Sequence, residues 1–155
     1  MRRALVAVSL AVVLSAAACG GKSRLSRADF LSKATVNCKA YEAKQNAIVF
    51  PTVNPVGTKT THAERAQWGL ALKQIVDIGD QELKELRKLR LPKDLQASYT
   101  SLLASWQHAY DTLRAGAVAA KRNDVATLKQ KVPQGRRELG EVSKRAKPLG
   151  LTGCL

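Results

Sequence analysis

From Ser26 to Ala146 the apolar residues recur at intervals of three and four, and nowhere do they alternate one by one over any length. An α-helix puts every third and fourth side chain on one face, whereas a strand changes face at each residue, so this spacing restricts the chain to helices. Four stripes can be traced. The first is Phe30, Ala34, Cys38 and Tyr41, opened by Ser26 with Asp29 three residues on, an approximate capping box, and running to about Ala47. The second is Trp68, Leu72, Ile75, Leu83, Leu86 and Leu89, opened by a stronger box at Thr61 and Glu64 and weakened midway by Gly79 and Asp80. Pro92 stops it, and Lys93 or Asp94 starts the third, which carries Leu95, Tyr99, Leu102, Trp106, Ala109, Leu113 and Ala117.

A turn at Lys121-Arg122-Asn123-Asp124 follows, with Asp124 able to cap the fourth stripe of Val125, Leu128, Val132, Leu139, Val142 and Ala146. Pro133 removes an amide donor inside that stripe and is expected to kink or break it near Lys131; Pro148 and Gly150 end it. Pro51, Pro55, Gly57 and the polar run Thr58 to Thr61 make the one long loop. Four stripes, two short turns and one long loop predict an all-α domain over residues 26–155, an antiparallel four-helix bundle.

The first 25 residues read differently. Arg2 and Arg3 precede the nearly uncharged run Ala4 to Ala18, the order of an export signal over residues 1–18. The run is too short for the roughly 20 residues that cross a ~30 Å hydrocarbon layer as a helix, so a permanent span is the weaker reading. Ser15-Ala16-Ala17-Ala18-Cys19-Gly20-Gly21 resembles the bacterial lipobox, which implies cleavage before Cys19 and a diacylglyceryl group on its thiol. Ala16 stands where that motif usually has Leu, and ordinary cleavage after Ala16 to Ala18, releasing a secreted soluble protein, is the alternative.

Cys19, Cys38 and Cys154 are an odd number, which in an exported chain leaves one thiol over. Lipidating Cys19 removes the odd one and leaves Cys38 and Cys154 as a pair where disulfides persist. Residues 19–25 then form a tether, reaching at most ~25 Å at ~3.3 Å per extended residue. Without residues 1–18 the chain has 137 residues and loses Arg2 and Arg3 from its 26 basic residues, so 24 against 12 acidic ones leaves +12. Such charge suggests nucleic acid in a cytoplasmic protein, but an exported one meets anionic lipid and wall polymer first.

Phe30-x3-Ala34-x3-Cys38, Leu91-Pro92-x2-Leu95 and Leu149-Gly150-Leu151-x2-Cys154 together resemble a group of small helical actinobacterial lipoproteins of uncharacterised activity. The resemblance spans nearly the whole mature chain. It implies the location and the fold, and assigns no catalytic residue.

Candidate sites are few. Ser105, His108 and Asp111 fall at successive spacings of three, but they splay from one rod and lack oxyanion donors, so a solvated face is the better reading. Asp77, Asp80, Glu82 and Glu85 suggest metal or acid/base chemistry, yet Lys73 with Asp77 and Asp80 with Lys84 at i,i+4 make a salt-bridged surface of them. His62 and His108 are the only histidines, so neither zinc nor haem nor another cofactor is expected. Trp68, Trp106, Tyr99 and Phe30 can line an apolar cavity, although aromatics at this spacing are usually core. Lys129, Arg136, Arg137, Lys144 and Lys147 fall within an arc of about 100° on the last helix, a solvated face or a contact for anionic lipid or wall polymer.

The sequence thus predicts a lipid-anchored, non-enzymatic binding or interaction module at the outer face of the cell membrane, without nucleic-acid partners. The rivals are a carrier of a small apolar ligand in the bundle core and a cell-envelope enzyme.

Overall fold

The computed structural model describes residues 24–151 and Cys154; the leader, Cys19 and most of the tether lie outside them. Four helices fill the described residues: α1 Arg27–Asn46, α2 His62–Lys88, α3 Gln96–Lys121 and α4 Val125–Ala146, with 3-10 turns at Lys93–Leu95 and Lys147–Leu149. No strand occurs among them, and no helix is long and apolar enough to cross a membrane. The caps follow from the sequence. Ser26 accepts from the Asp29 amide, Thr61 and Glu64 complete a reciprocal box, and Asp124 accepts from the Thr127 amide. The turn before α4 uses Asn123 at φ 61°, a left-handed position that asparagine tolerates.

Helix α3 packs between α2 and α4, and α1 lies against α2. Every residue of the third stripe is buried, and so are Leu103, Tyr110, Ala119 and Ala120 on its flanks. Phe30 of α1 meets Tyr99 edge to face with ring centres 5.0 Å apart, Phe50 of the loop lies against Trp68 at 5.3 Å, and Trp106 neighbours Tyr110. Phe30, Trp68, Tyr99 and Trp106 are all buried in the core, as aromatics at this spacing usually are.

Three local expectations are corrected. Helix α2 runs unbroken through Gly79 and Asp80, and Val76 rather than the half-buried Ile75 faces the core. Gly79 is required there because the Tyr110 ring rests on it, and a Cβ would overlap that ring. Helix α4 also continues past Pro133, which is exposed, as is Lys129 one turn back, so the carbonyl that loses its amide partner lies on the solvent side of the helix. The third helix proper begins at Gln96, after the Lys93–Leu95 turn.

Two features fasten the ends. Arg65 is buried, and its guanidinium donates to the carbonyls of Pro55 (2.8 Å), Gly57 (3.1 Å) and Thr60 (2.9 Å) and to the Asn123 side chain, so one cation ties the long loop to the α3–α4 turn. Beyond α4, Gly150 at φ 83° reverses the chain, with the Leu151 amide donating to Ala146. Cys154 then meets Cys38 in a disulfide with Cα atoms 4.6 Å apart.

The glycines yield a paired prediction. Gly79→Ala should lower stability, because overlap with a buried ring costs about 1–3 kcal/mol and exceeds the ~1 kcal/mol helix preference of alanine. Gly140 has nothing within 4 Å of its missing Cβ, so Gly140→Ala should raise stability by roughly 0.5–1 kcal/mol. Urea unfolding of the two variants decides it; a stabilised Gly79→Ala protein contradicts the packing described.

Candidate functional site

The basic residues of α4 project as the sequence suggests: Lys129, Arg136, Arg137, Lys144 and Lys147 are all exposed, and Lys144 pairs with Glu141 at 2.6 Å. Ser105, His108 and Asp111 do not form a catalytic set. The Ser105 hydroxyl donates to the Ser101 carbonyl (3.1 Å) and accepts from Arg145 (2.5 Å), His108 lies 3.5 Å from Glu138, and Asp111 pairs with Arg114. Ser105, His108, Arg137 and Arg145 border an open groove between α3 and α4. No group of three His, Cys, Asp or Glu residues suited to a metal occurs among the described residues.

The acidic cluster of α2 separates into different roles. Lys73 pairs with Asp77 at 2.6 Å and Lys88 with Glu85 at 2.5 Å, both on the surface. Asp80 does not pair with Lys84; it takes Arg114 and Gln107 of α3, because its turn of α2 faces that helix. Glu82 is not surface at all. It is 3% exposed, on the face that also carries Leu83 and Leu86.

Glu82 borders a cleft of about 350 Å³ to which all four helices contribute. Helix α1 supplies Cys38, Glu42, Gln45 and Asn46, α3 supplies Tyr110, and α4 supplies Leu139, Gly140 and Ser143. Cys154 closes one end through the disulfide. Glu82, Tyr110 and both cysteines are the buried floor, and Glu42, Asn46 and Gly140 are the exposed rim. The Gln45 amide donates to the Tyr110 hydroxyl at 3.1 Å, which spans the site from α1 to α3.

Burial strips water from the Glu82 carboxyl, and Glu42 adds like charge, so its pKa is pushed up to about 8. Among the described residues neither a cation nor a hydrogen-bond donor offsets these two effects. Burial and the adjacent Glu82 push Tyr110 up to about 12, and the same two causes raise Tyr99. At neutral pH the floor therefore holds a protonated carboxyl beside protonated phenols.

Sequence reasoning placed Glu82 among surface ion pairs and passed over Glu42, Gln45 and Tyr110. A signal for Glu82 existed. At 100° per residue it stands between Leu89 and Ile75, within the apolar arc of α2. Gln45 and Tyr110 had none, since 65 residues separate them. No family model, no curated protein and no solved structure matches the chain.

The raised carboxyl makes stability depend on pH. Below the ordinary value of 4.5 the folded and unfolded chains both hold the proton; between 4.5 and about 8 only the folded chain does. Stability contributed by this group is complete at the acid end and falls as pH rises, by about 1.4 kcal/mol per unit and roughly 5 kcal/mol in all, until the folded carboxyl ionises. Glu82→Gln should remove that slope and be more stable than the parent at pH 8, measured by urea unfolding at pH 5 and pH 8. Parallel pH profiles for parent and variant would refute the burial described.

Proposed function

We propose that the chain is a lipid-anchored, extracytoplasmic binding module without catalytic activity, and that its ligand enters the cleft at Glu82. The observation that carries the binding reading is Glu82 itself, a buried carboxyl with no partner among the described residues. Folding stability gains nothing from such a group, and a buried carboxyl that lines a cleft is the mark of a ligand site. Binding is favoured over turnover because the described lining of the cleft puts no histidine, lysine or arginine beside Glu82 to act as its partner in proton or group transfer. Incubated with the small-molecule fraction of its own cell envelope, the protein should keep a companion mass in native mass spectrometry that Glu82→Gln lacks. Identical spectra would count against the reading.

The location rests on the cysteines. The Cys38–Cys154 disulfide uses two of the three, which supports an oxidising compartment and leaves Cys19 as the one thiol free for acylation behind its apolar leader. Cells fed labelled fatty acid should mark the wild type, and Cys19→Ser should move the protein from the membrane fraction to the medium. A wild type without label would favour simple secretion.

The exposed arginines and lysines of α4 suit a domain kept near a bilayer by its tether, since each basic residue near an anionic surface contributes about 1 kcal/mol. In this reading the anchor sets residence and the basic face sets orientation, toward anionic lipid or wall polymer. The Cys19→Ser protein should bind anionic vesicles weakly, more weakly as salt rises, and on the order of a hundredfold less tightly with Arg136, Arg137 and Lys144 all changed to Gln, as expected when three charges of about 1 kcal/mol each are lost. Equal binding by that variant would make the face a solvated one.

A further inference from the structure

The cleft differs from the rest of the surface in sign. The chain has 26 basic and 12 acidic residues, yet among the described residues the cleft is lined by two carboxyl groups and by no Lys or Arg. Its other polar side chains, Gln45, Asn46, Ser143 and the Tyr110 hydroxyl, all carry an oxygen able to accept a hydrogen bond. Leu139 and the disulfide add an apolar wall. The cleft of about 350 Å³ holds on the order of ten water molecules, far more than a bare metal ion occupies. It is near the lower end of small-molecule sites.

We infer that the cleft at Glu82 binds a small organic ammonium, with the charged nitrogen against Glu82 and Glu42 and a short apolar portion against Leu139 and the disulfide. The inference rests on the reading of the cleft as a ligand site and adds the ligand's chemical class. An ammonium supplies what the described residues withhold from Glu82: a cationic donor against a carboxyl that is 3% exposed. A neutral amide or alcohol finds hydrogen bonds here as well, but it gives the second carboxylate nothing to neutralise. The titratable groups facing Glu82 are Glu42 from α1 and Tyr99 and Tyr110 from α3; Leu139, Gly140 and Ser143 of α4 do not titrate. Binding the cation therefore drives the Glu82 proton out to solvent, since the phenols hold theirs far more tightly. The step balances as one ammonium bound and one proton released.

Isothermal titration of the exported protein, disulfide intact, with pentylammonium and benzylammonium tests this against 1-pentanol and benzyl alcohol, which match them in size. The ammonium probes should bind at least roughly tenfold tighter than the alcohols, a difference of about 1.4 kcal/mol. At pH 7 their heats should differ between phosphate and Tris buffers by the amount one released proton requires. Glu82→Gln should weaken the ammonium probes by a similar factor and abolish the buffer dependence; Glu42→Gln should weaken them while keeping it. Alcohols that bind as tightly as the ammonium probes, with both classes lost in Glu82→Gln, would overturn the ammonium assignment and leave the cleft a ligand site. No binding of either class at millimolar probe, or binding unchanged in Glu82→Gln, would overturn both.

Discussion

Helix α1 depends on a covalent link more than any other element does. Of its 20 residues only Phe30, Ala34 and Cys38 are fully buried, and Cys38 is there as half of the disulfide. Three side chains are thin support for a helix of five turns, whose own propensity is marginal in water. The disulfide closes a segment of 116 residues, and the chain-entropy model assigns such a loop roughly 5 kcal/mol as an upper figure. That is of the same order as the whole stability of many domains. The cleft depends on the link in turn, because Glu42, Gln45 and Asn46 stand one to two turns beyond Cys38 on the helix it holds.

Opposed demands meet on one short stretch of α2. At Gly79 the helix gives up a side chain so that Tyr110 can lie flat against it, and the hydroxyl of that ring accepts from Gln45. Three residues later Glu82 brings an ionisable group into the place where the stripe calls for an apolar one. The first exchange adds packing; the second weakens it. Arg65 shows how this fold treats a buried charge that serves structure: its guanidinium meets four oxygen acceptors. The described residues provide nothing comparable for Glu82, and this contrast within one helix is what sets Glu82 apart from a structural charge.

Much of the architecture was legible in the sequence because it rests on local rules. Periodicity located the four helices, Ser26, Thr61 and Asp124 marked their starts, and the cysteine count paired Cys38 with Cys154. What was not legible depended on partners distant along the chain. Lys84 is the nearest cation to Asp80 in sequence, but Arg114 is the one α3 brings to it. Pro133 reads as a helix breaker until its exposure is known, and Gly79 reads as a weak point until Tyr110 is seen upon it. Glu82 was misread for a different reason: charge was allowed to outrank position, although its place in the apolar arc was visible.

The basic face and the acidic cleft are also related in space. Turned at 100° per residue, Gly140 falls about 40° from Arg136 and 20° from Lys147, inside the arc of the basic residues, and Ser143 falls just outside it. Gly140 is part of the exposed rim of the cleft, so the side of α4 that carries the cations also borders its mouth. These cations repel a cationic ligand in free solution. Against an anionic surface the balance changes, since the surface charge offsets the cations that face it and draws small cations into the layer within about 8 Å, one Debye length at physiological salt. A domain lying with this face on such a surface holds its acidic cleft within that layer. In the proposed arrangement anchor, basic face and cleft act in one direction, each correcting what the others leave unfavourable.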